Sequence, residues 1–177
     1  MKNIRFSGLS VIFVIMAAFL LFSYSCSRDE ETKCDPDIYE ENNTFDNAFS
    51  LGSVTEEVKS FTGRISEEGD MDFYELTAAE GTHIGIPYAS QYFRITVTLS
   101  LPADKDYDLY IYNESGSVLG QSAERGNDEE IVVLDWEGAF GADDSKLFGI
   151  EVRPYSGDFS CDDYTLTVTM SYSESPW

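Results

Sequence analysis

The sequence is poor in the residues that most enzyme chemistry relies on. It holds one histidine, His83, in 177 residues, so a nucleophile relay would have a single candidate base. Neither GxSxG nor HExxH occurs, and there is no glycine-rich phosphate loop. The usual hydrolase, metalloprotease and nucleotide-binding signatures are therefore excluded, and His83 reads as an ordinary strand or surface residue. Basic residues are scarce too, with 11 Lys and Arg against 33 Asp and Glu. That imbalance repels nucleic acid and anionic headgroups, and it favours solubility and cation binding. Three cysteines and one histidine fall short of the ligand count and spacing of a zinc site. What is abundant is acid: Asp128-Glu129-Glu130, Asp143-Asp144 and Asp162-Asp163. Glycosidase chemistry needs one such carboxyl held in a cleft with a raised pKa, whereas acid runs in loops are solvated faces. The chain reads as a non-enzyme.

The N-terminus sets the compartment. Lys2 and Arg5 precede an apolar run from Leu9 to Phe22, about 14 residues and so of signal-peptide length. A membrane-spanning helix needs about 20. The string Phe22-Ser23-Tyr24-Ser25-Cys26 resembles a lipobox, with Ser23 where Leu is usual. That resemblance implies cleavage before Cys26, diacylation of its sulfur, and an anchor of more than one acyl chain, enough for stable attachment. An ordinary cleaved signal peptide and an uncleaved anchor are the alternatives. Asp29-Glu30-Glu31 follows, similar to the surface-export tether of Bacteroidetes-type lipoproteins or, equally, a plain solvated linker. The expected location is the cell envelope, as an outer-membrane lipoprotein with surface display open. Without Lys2 and Arg5 the balance is 9 basic against 33 acidic residues. With Cys26 lipidated, Cys34 and Cys161 remain as a pair in an oxidising compartment. A bridge between them would span 127 positions; two free thiols are the alternative.

Beyond the tether the chain reads as strands and turns. Phe93 to Leu101 alternates strictly, with Phe93, Ile95, Val97, Leu99 and Leu101 on one face, until Pro102. Further strands are expected around Phe61–Ile65, Asp72–Thr77, Tyr107–Tyr112, Val118-Leu119, Ile131–Leu134, Leu147–Val152 and Tyr164–Met170. In the Tyr107 strand, Leu109 and Ile111 face one way, Tyr110 and Tyr112 the other. Only Thr44–Phe49 suggests a helical turn, with Thr44 as N-cap. The pattern predicts an all-β, antiparallel, jelly-roll-like sandwich of about 7–9 strands. The expected organisation is signal peptide 1–25, lipidated N-terminus and tether 26–36, sandwich 37–172 and tail 173–177.

Four islands resemble the bacterial pre-peptidase C-terminal (PPC) domain. They are Tyr39-Glu40-Glu41-Asn42-Asn43-Thr44, Gly69-Asp70-Met71-Asp72-Phe73-Tyr74, Tyr107-Asp108-Leu109-Tyr110-Ile111-Tyr112, and Tyr155-Ser156-Gly157 leading to Tyr164-Thr165-Leu166-Thr167-Val168. Together they cover nearly all of 37–172, with Glu41, Asn43 and Phe73 departing from the family's Pro, Asp and Trp. Residues 82–101 look longer than the family norm around Pro87-Tyr88. The resemblance implies a β-sandwich of the kind appended to secreted peptidases, a binding module rather than a catalyst. Some relatives, including collagen-binding domains of clostridial collagenases, bind calcium through the first two islands. Carried over, this places candidate calcium ligands at Glu40, Asn42, Asn43, Asp70 and Asp72, a set approaching the six to eight oxygens calcium prefers. The same residues equally suit turn capping, and Asn43 in place of an acid lowers the expected affinity.

Tyrosines are the other signal. Tyr110 and Tyr112, with Tyr88, Tyr92 and Tyr155, suit an exposed aromatic face for protein or glycan contact, or cross-strand pairs that merely stiffen a sheet. The expected function is a lipid-anchored envelope module binding protein or polysaccharide, with calcium as its cofactor. The alternative is an accessory domain that stabilises or tethers a partner exoenzyme.

Overall fold

The structure is a computed structural model, described over residues 33–82, 90–126 and 129–177. Cys26, the signal peptide, His83 and Pro87-Tyr88 lie outside the described residues. Nine strands run in chain order: β1 (Phe49–Val54), β2 (Val58–Gly63), β3 (Asp72–Ala78), β4 (Ser90–Ser100), β5 (Tyr107–Tyr112), β6 (Val118–Ser122), β7 (Glu130–Ala139), β8 (Lys146–Pro154) and β9 (Tyr164–Ser173). They form two sheets, β1-β3-β8-β5-β6 and β2-β9-β4-β7. The sandwich is as expected, within the expected strand number.

Period-two alternation builds the core. In β4, Phe93, Ile95, Val97 and Leu99 are buried while Arg94, Thr96 and Thr98 are not. Its neighbours keep the same phase: Val97 stands opposite Val132 of β7 and Val168 of β9. Leu76, Leu109, Ile111, Phe148, Ile150 and Val152 fill the facing side. Threonine on the outer face of β9 (Thr165, Thr167, Thr169) and hydrophobes on its inner face (Leu166, Val168, Met170) follow from the half-buried pleat.

Two local expectations are corrected. The turn expected over Thr44–Phe49 is a three-residue 3-10 turn, Phe45–Asn47, and Phe49 already begins β1. β1 was missed because its residues alternate weakly and remain mostly exposed. It also pairs parallel with β3, with Phe49 opposite Tyr74, so the sandwich is not wholly antiparallel. Residues 33–48, ahead of β1, form a strap without a named strand, bonded to the stretch from Arg64 to Phe73. It is also fastened by a Cys34–Cys161 disulfide, which settles the pairing expected of the two cysteines. At the other terminus, Trp177 stacks over the Arg94 guanidinium at 4.6 Å, and Arg94 pairs with Asp135.

Candidate functional site

The strap and the turn before β3 bring acids together. Gly69 adopts φ +88°, a left-handed turn conformation that glycine takes without steric cost. The turn closes by the Asp70 N–H donating to the Glu67 carbonyl at 3.2 Å. Asp70 then sits at the turn's exit, and Asp72, the first residue of β3, points inward and is fully buried. Glu40 comes from the strap. Each of Glu40, Asp70 and Asp72 offers a carboxylate oxygen, and the three lie within 4.8 Å of one another. That separation suits oxygens arranged around one ion at about 2.4 Å each.

The electrostatics of this cluster are unfavourable as it stands. Asp70 Oδ2 accepts from the Ser66 N–H at 2.6 Å and the Ser66 hydroxyl at 3.0 Å, while its Oδ1 is buried without a partner. Burial, more than anything else, pushes the Asp72 carboxyl up to about 8. A hydrogen bond from the Tyr164 hydroxyl opposes this, and Asp37, Asp70 and Glu40 add to it. Glu40 is likewise raised, by burial and then by Asp70. Asp37, which sequence reasoning passed over, is raised by burial although its oxygens accept the Tyr39 and Arg64 backbone N–H groups at 2.7 Å each. A buried carboxylate group of this kind is normally charged only when paired or metal-bound.

The two asparagines expected beside these acids serve the backbone. Asn42 is fully buried; its Nδ2 donates to the Phe73 carbonyl at 3.3 Å, and its own carbonyl accepts the Phe73 N–H at 2.9 Å. Asn43 Oδ1 accepts the Met71 N–H at 3.1 Å. Both pin the strap to the start of β3.

Beneath the cluster runs a buried chain of hydroxyls. Tyr164 donates to Asp72 Oδ2 at 2.5 Å and meets the Tyr74 hydroxyl at 2.6 Å. The Tyr107 hydroxyl, also buried, has no partner. Burial raises all three phenols well above their ordinary value. Gly63 makes room for this chain: a Cβ there would lie 2.3 Å from the Tyr164 oxygen and 2.6 Å from that of Tyr74. Gly63→Ala is expected to destabilise the fold by about 1–3 kcal/mol through overpacking. The check is a lowered urea midpoint at unchanged slope; an unaltered midpoint would show that the tyrosines yield freely.

A second arrangement occupies the outer face of the five-stranded sheet. Phe73, Glu151 and Tyr110 stand in register across β3, β8 and β5. Glu151 points outward, yet its side chain is 1% exposed. Arg153 Nε and Nη2 donate to it at 2.7 and 2.9 Å, and Tyr112 donates at 2.5 Å. The half-exposed Arg153 guanidinium lies 4.5 Å over the Tyr110 ring, a cation–π geometry. Phe45, packed where Gly149 lacks a side chain, presents its edge to Phe73 and Tyr112. Burial, then the Glu151 hydrogen bond, pushes the Tyr112 hydroxyl up to about 12. Sequence reasoning selected Tyr110 and Tyr112 but missed Glu151 and Arg153. The available signal was their two-residue spacing, which puts opposite charges on one face of a strand.

No family model matches the chain, and no curated protein does. Among solved structures it is similar to the pre-peptidase C-terminal domain of a collagenase from Bacillus anthracis, which is of the family that the four islands resemble. Identity is 12%, the TM-score 0.43, and the match covers 70% of this chain and 94% of that one. It is also similar to the enzymatically active domain of tailspike protein 4 of bacteriophage CBA120, at 12% identity and a TM-score of 0.34. There 70% of this chain matches 18% of the phage protein.

Proposed function

We propose that the chain is a non-catalytic, lipid-anchored binding module of the cell envelope that engages a protein or polysaccharide and is stabilised by calcium. The observation that carries the reading is the outer-face arrangement of Tyr110, Tyr112, Arg153 and Glu151. A carboxylate kept dry on the solvent side of a sheet is costly unless paired. Its consequence here is an arginine held in one pose beside two tyrosines. Preorganised tyrosine and arginine are the residues that dominate binding energy at interfaces. Calcium stabilisation is supported separately, by three converging carboxylates and the unpaired Asp70 Oδ1. Lipid anchoring rests on the lipobox-like Cys26.

The test is retention of the full chain, in detergent, on immobilised collagen and on immobilised glycans. Wild type should bind one of these, and Tyr110→Ala or Arg153→Ala should weaken that binding by about tenfold or more. Unchanged binding by both variants would remove the site. Recovery of a single envelope enzyme from cells, with no polymer bound, would favour an accessory domain instead. Replacing Cys26 with Ala should abolish palmitate incorporation and release the protein from membranes.

A further inference from the structure

The disulfide does more than close the chain, because both of its halves grip the loop that carries Asp70. The Cys34 N–H donates to the Ser66 carbonyl at 2.7 Å. From the other half, Ser160, next to Cys161, donates its N–H to the Ile65 carbonyl at 3.0 Å. Ser66 in turn gives its N–H and its hydroxyl to Asp70 Oδ2. The path from sulfur to the acid cluster is thus three residues long: Cys34, Ser66, Asp70. It ends on the carboxylate whose other oxygen is buried without a partner, in the group that Asp70 forms with Glu40 and Asp72. Glu40 depends on the same bond, since Cys34 stands near the start of the strap that holds it. Beyond the disulfide that strap is fastened by polar contacts, among them Arg64 Nη1 to the Asp35 carbonyl at 2.9 Å and the Arg64 N–H to Asp37.

We propose that the Cys34–Cys161 disulfide and a divalent cation at Glu40, Asp70 and Asp72 are thermodynamically coupled. The bond assembles the cation site, and the bound cation protects the bond. This rests on the calcium part of the function proposed above. Reduction by a dithiol is a two-electron exchange. The reductant closes its own disulfide, the Cys34–Cys161 bond breaks, and each sulfur receives one electron and one proton. The strap and the Ser66 loop then keep only non-covalent ties, among them the Lys33–Glu67 ion pair and the packing of Tyr39 on Tyr74, and the three carboxylates lose the covalent frame that forces them together. In the other direction, a cation bridging Glu40 on the strap to Asp70 and Asp72 adds a second fastening. The sulfurs then stay close when the covalent one is cut. Coupling between sites is reciprocal, so both directions carry the same factor. An envelope protein with this device would release its cation where the surroundings turn reducing.

The experiment is calcium titration by calorimetry of the full chain in detergent, oxidised wild type against the Cys34→Ser/Cys161→Ser double variant. Circular dichroism at the working temperature establishes that both are folded. The expected result is about a tenfold loss of affinity in the variant, within the usual range of such couplings. Equal affinities in the two proteins would overturn the coupling alone. Absence of binding by oxidised wild type would overturn the calcium reading and this inference with it. A second measurement uses wild type only and holds even if the variant fails to fold. The ratio of reduced to oxidised dithiothreitol that half-reduces the bond should rise about tenfold with saturating calcium. A ratio indifferent to calcium would also overturn the coupling.

Discussion

With calcium chelated, the protein should lose stability as pH rises from about 4 to about 8, and added calcium should restore it most at the alkaline end. The sign follows from Asp72. Burial raises its carboxyl from 3.8 to about 8 in the folded chain, so between those values the folded state holds a proton that the unfolded state has released. A group of this kind contributes fully below its unfolded value, and the contribution is gone once pH passes the folded one. The ceiling on the effect is about 6 kcal/mol, at roughly 1.4 kcal/mol per unit, a large share of an ordinary domain's stability. Glu40 and Asp37, both raised, act in the same direction. Under the proposed calcium reading the trend would reverse, because the ion would bind the deprotonated carboxylate and its affinity would grow with pH. The measurement is the urea midpoint across pH 4 to 8, in chelator and in millimolar calcium. Asp72→Asn should flatten the chelated profile and remove the calcium response. A chelated midpoint that is level or rises toward pH 8 would refute the buried-acid account.

Removing the disulfide should cost a large share of the fold's stability. Its 127-residue separation corresponds to about 4–5 kcal/mol of loop-closure entropy in the unfolded chain. For a domain of this size that is a fall of roughly 10–15 °C in melting temperature. The topology gives the bond a second effect. The strap it fastens forms no strand of its own, and Tyr39, which packs edge-on against Tyr74 at 5.5 Å, reaches the core only through it. The Cys34→Ser/Cys161→Ser variant, unfolded by urea beside oxidised wild type, gives the difference directly. A loss below about 1 kcal/mol would mean that the polar contacts of the strap are sufficient by themselves.

Strands with clean alternation, such as Phe93–Leu101 and Tyr164–Met170, were readable because one buried face leaves a period of two in the residues. β1 was not, since an exposed strand at the sheet edge has no such period, and its parallel pairing with β3 is a long-range choice. The candidate site divides in the same way. Glu40, Asp70 and Asp72 were picked from motifs, and they do converge. That Asn42 and Asn43 would spend their amides on Phe73 and Met71 depended on how the strap lies over β3. Asp37 and Tyr164 became relevant only when segments 27 and 92 positions apart met, and Gly63 only through its closeness to the Tyr164 and Tyr74 hydroxyls.

By itself, then, the sequence determined an acidic all-β chain whose strands, turns and three motif acids are local matters of periodicity and residue type. Tertiary structure alone decided that Asp72 is dry and Asp70 half-satisfied, that Glu151 is sealed on an outward face, and that one disulfide grips the loop beneath the acids. Burial and hydrogen-bond partners depend on what the rest of the chain places alongside, and no local pattern of residues carries that information.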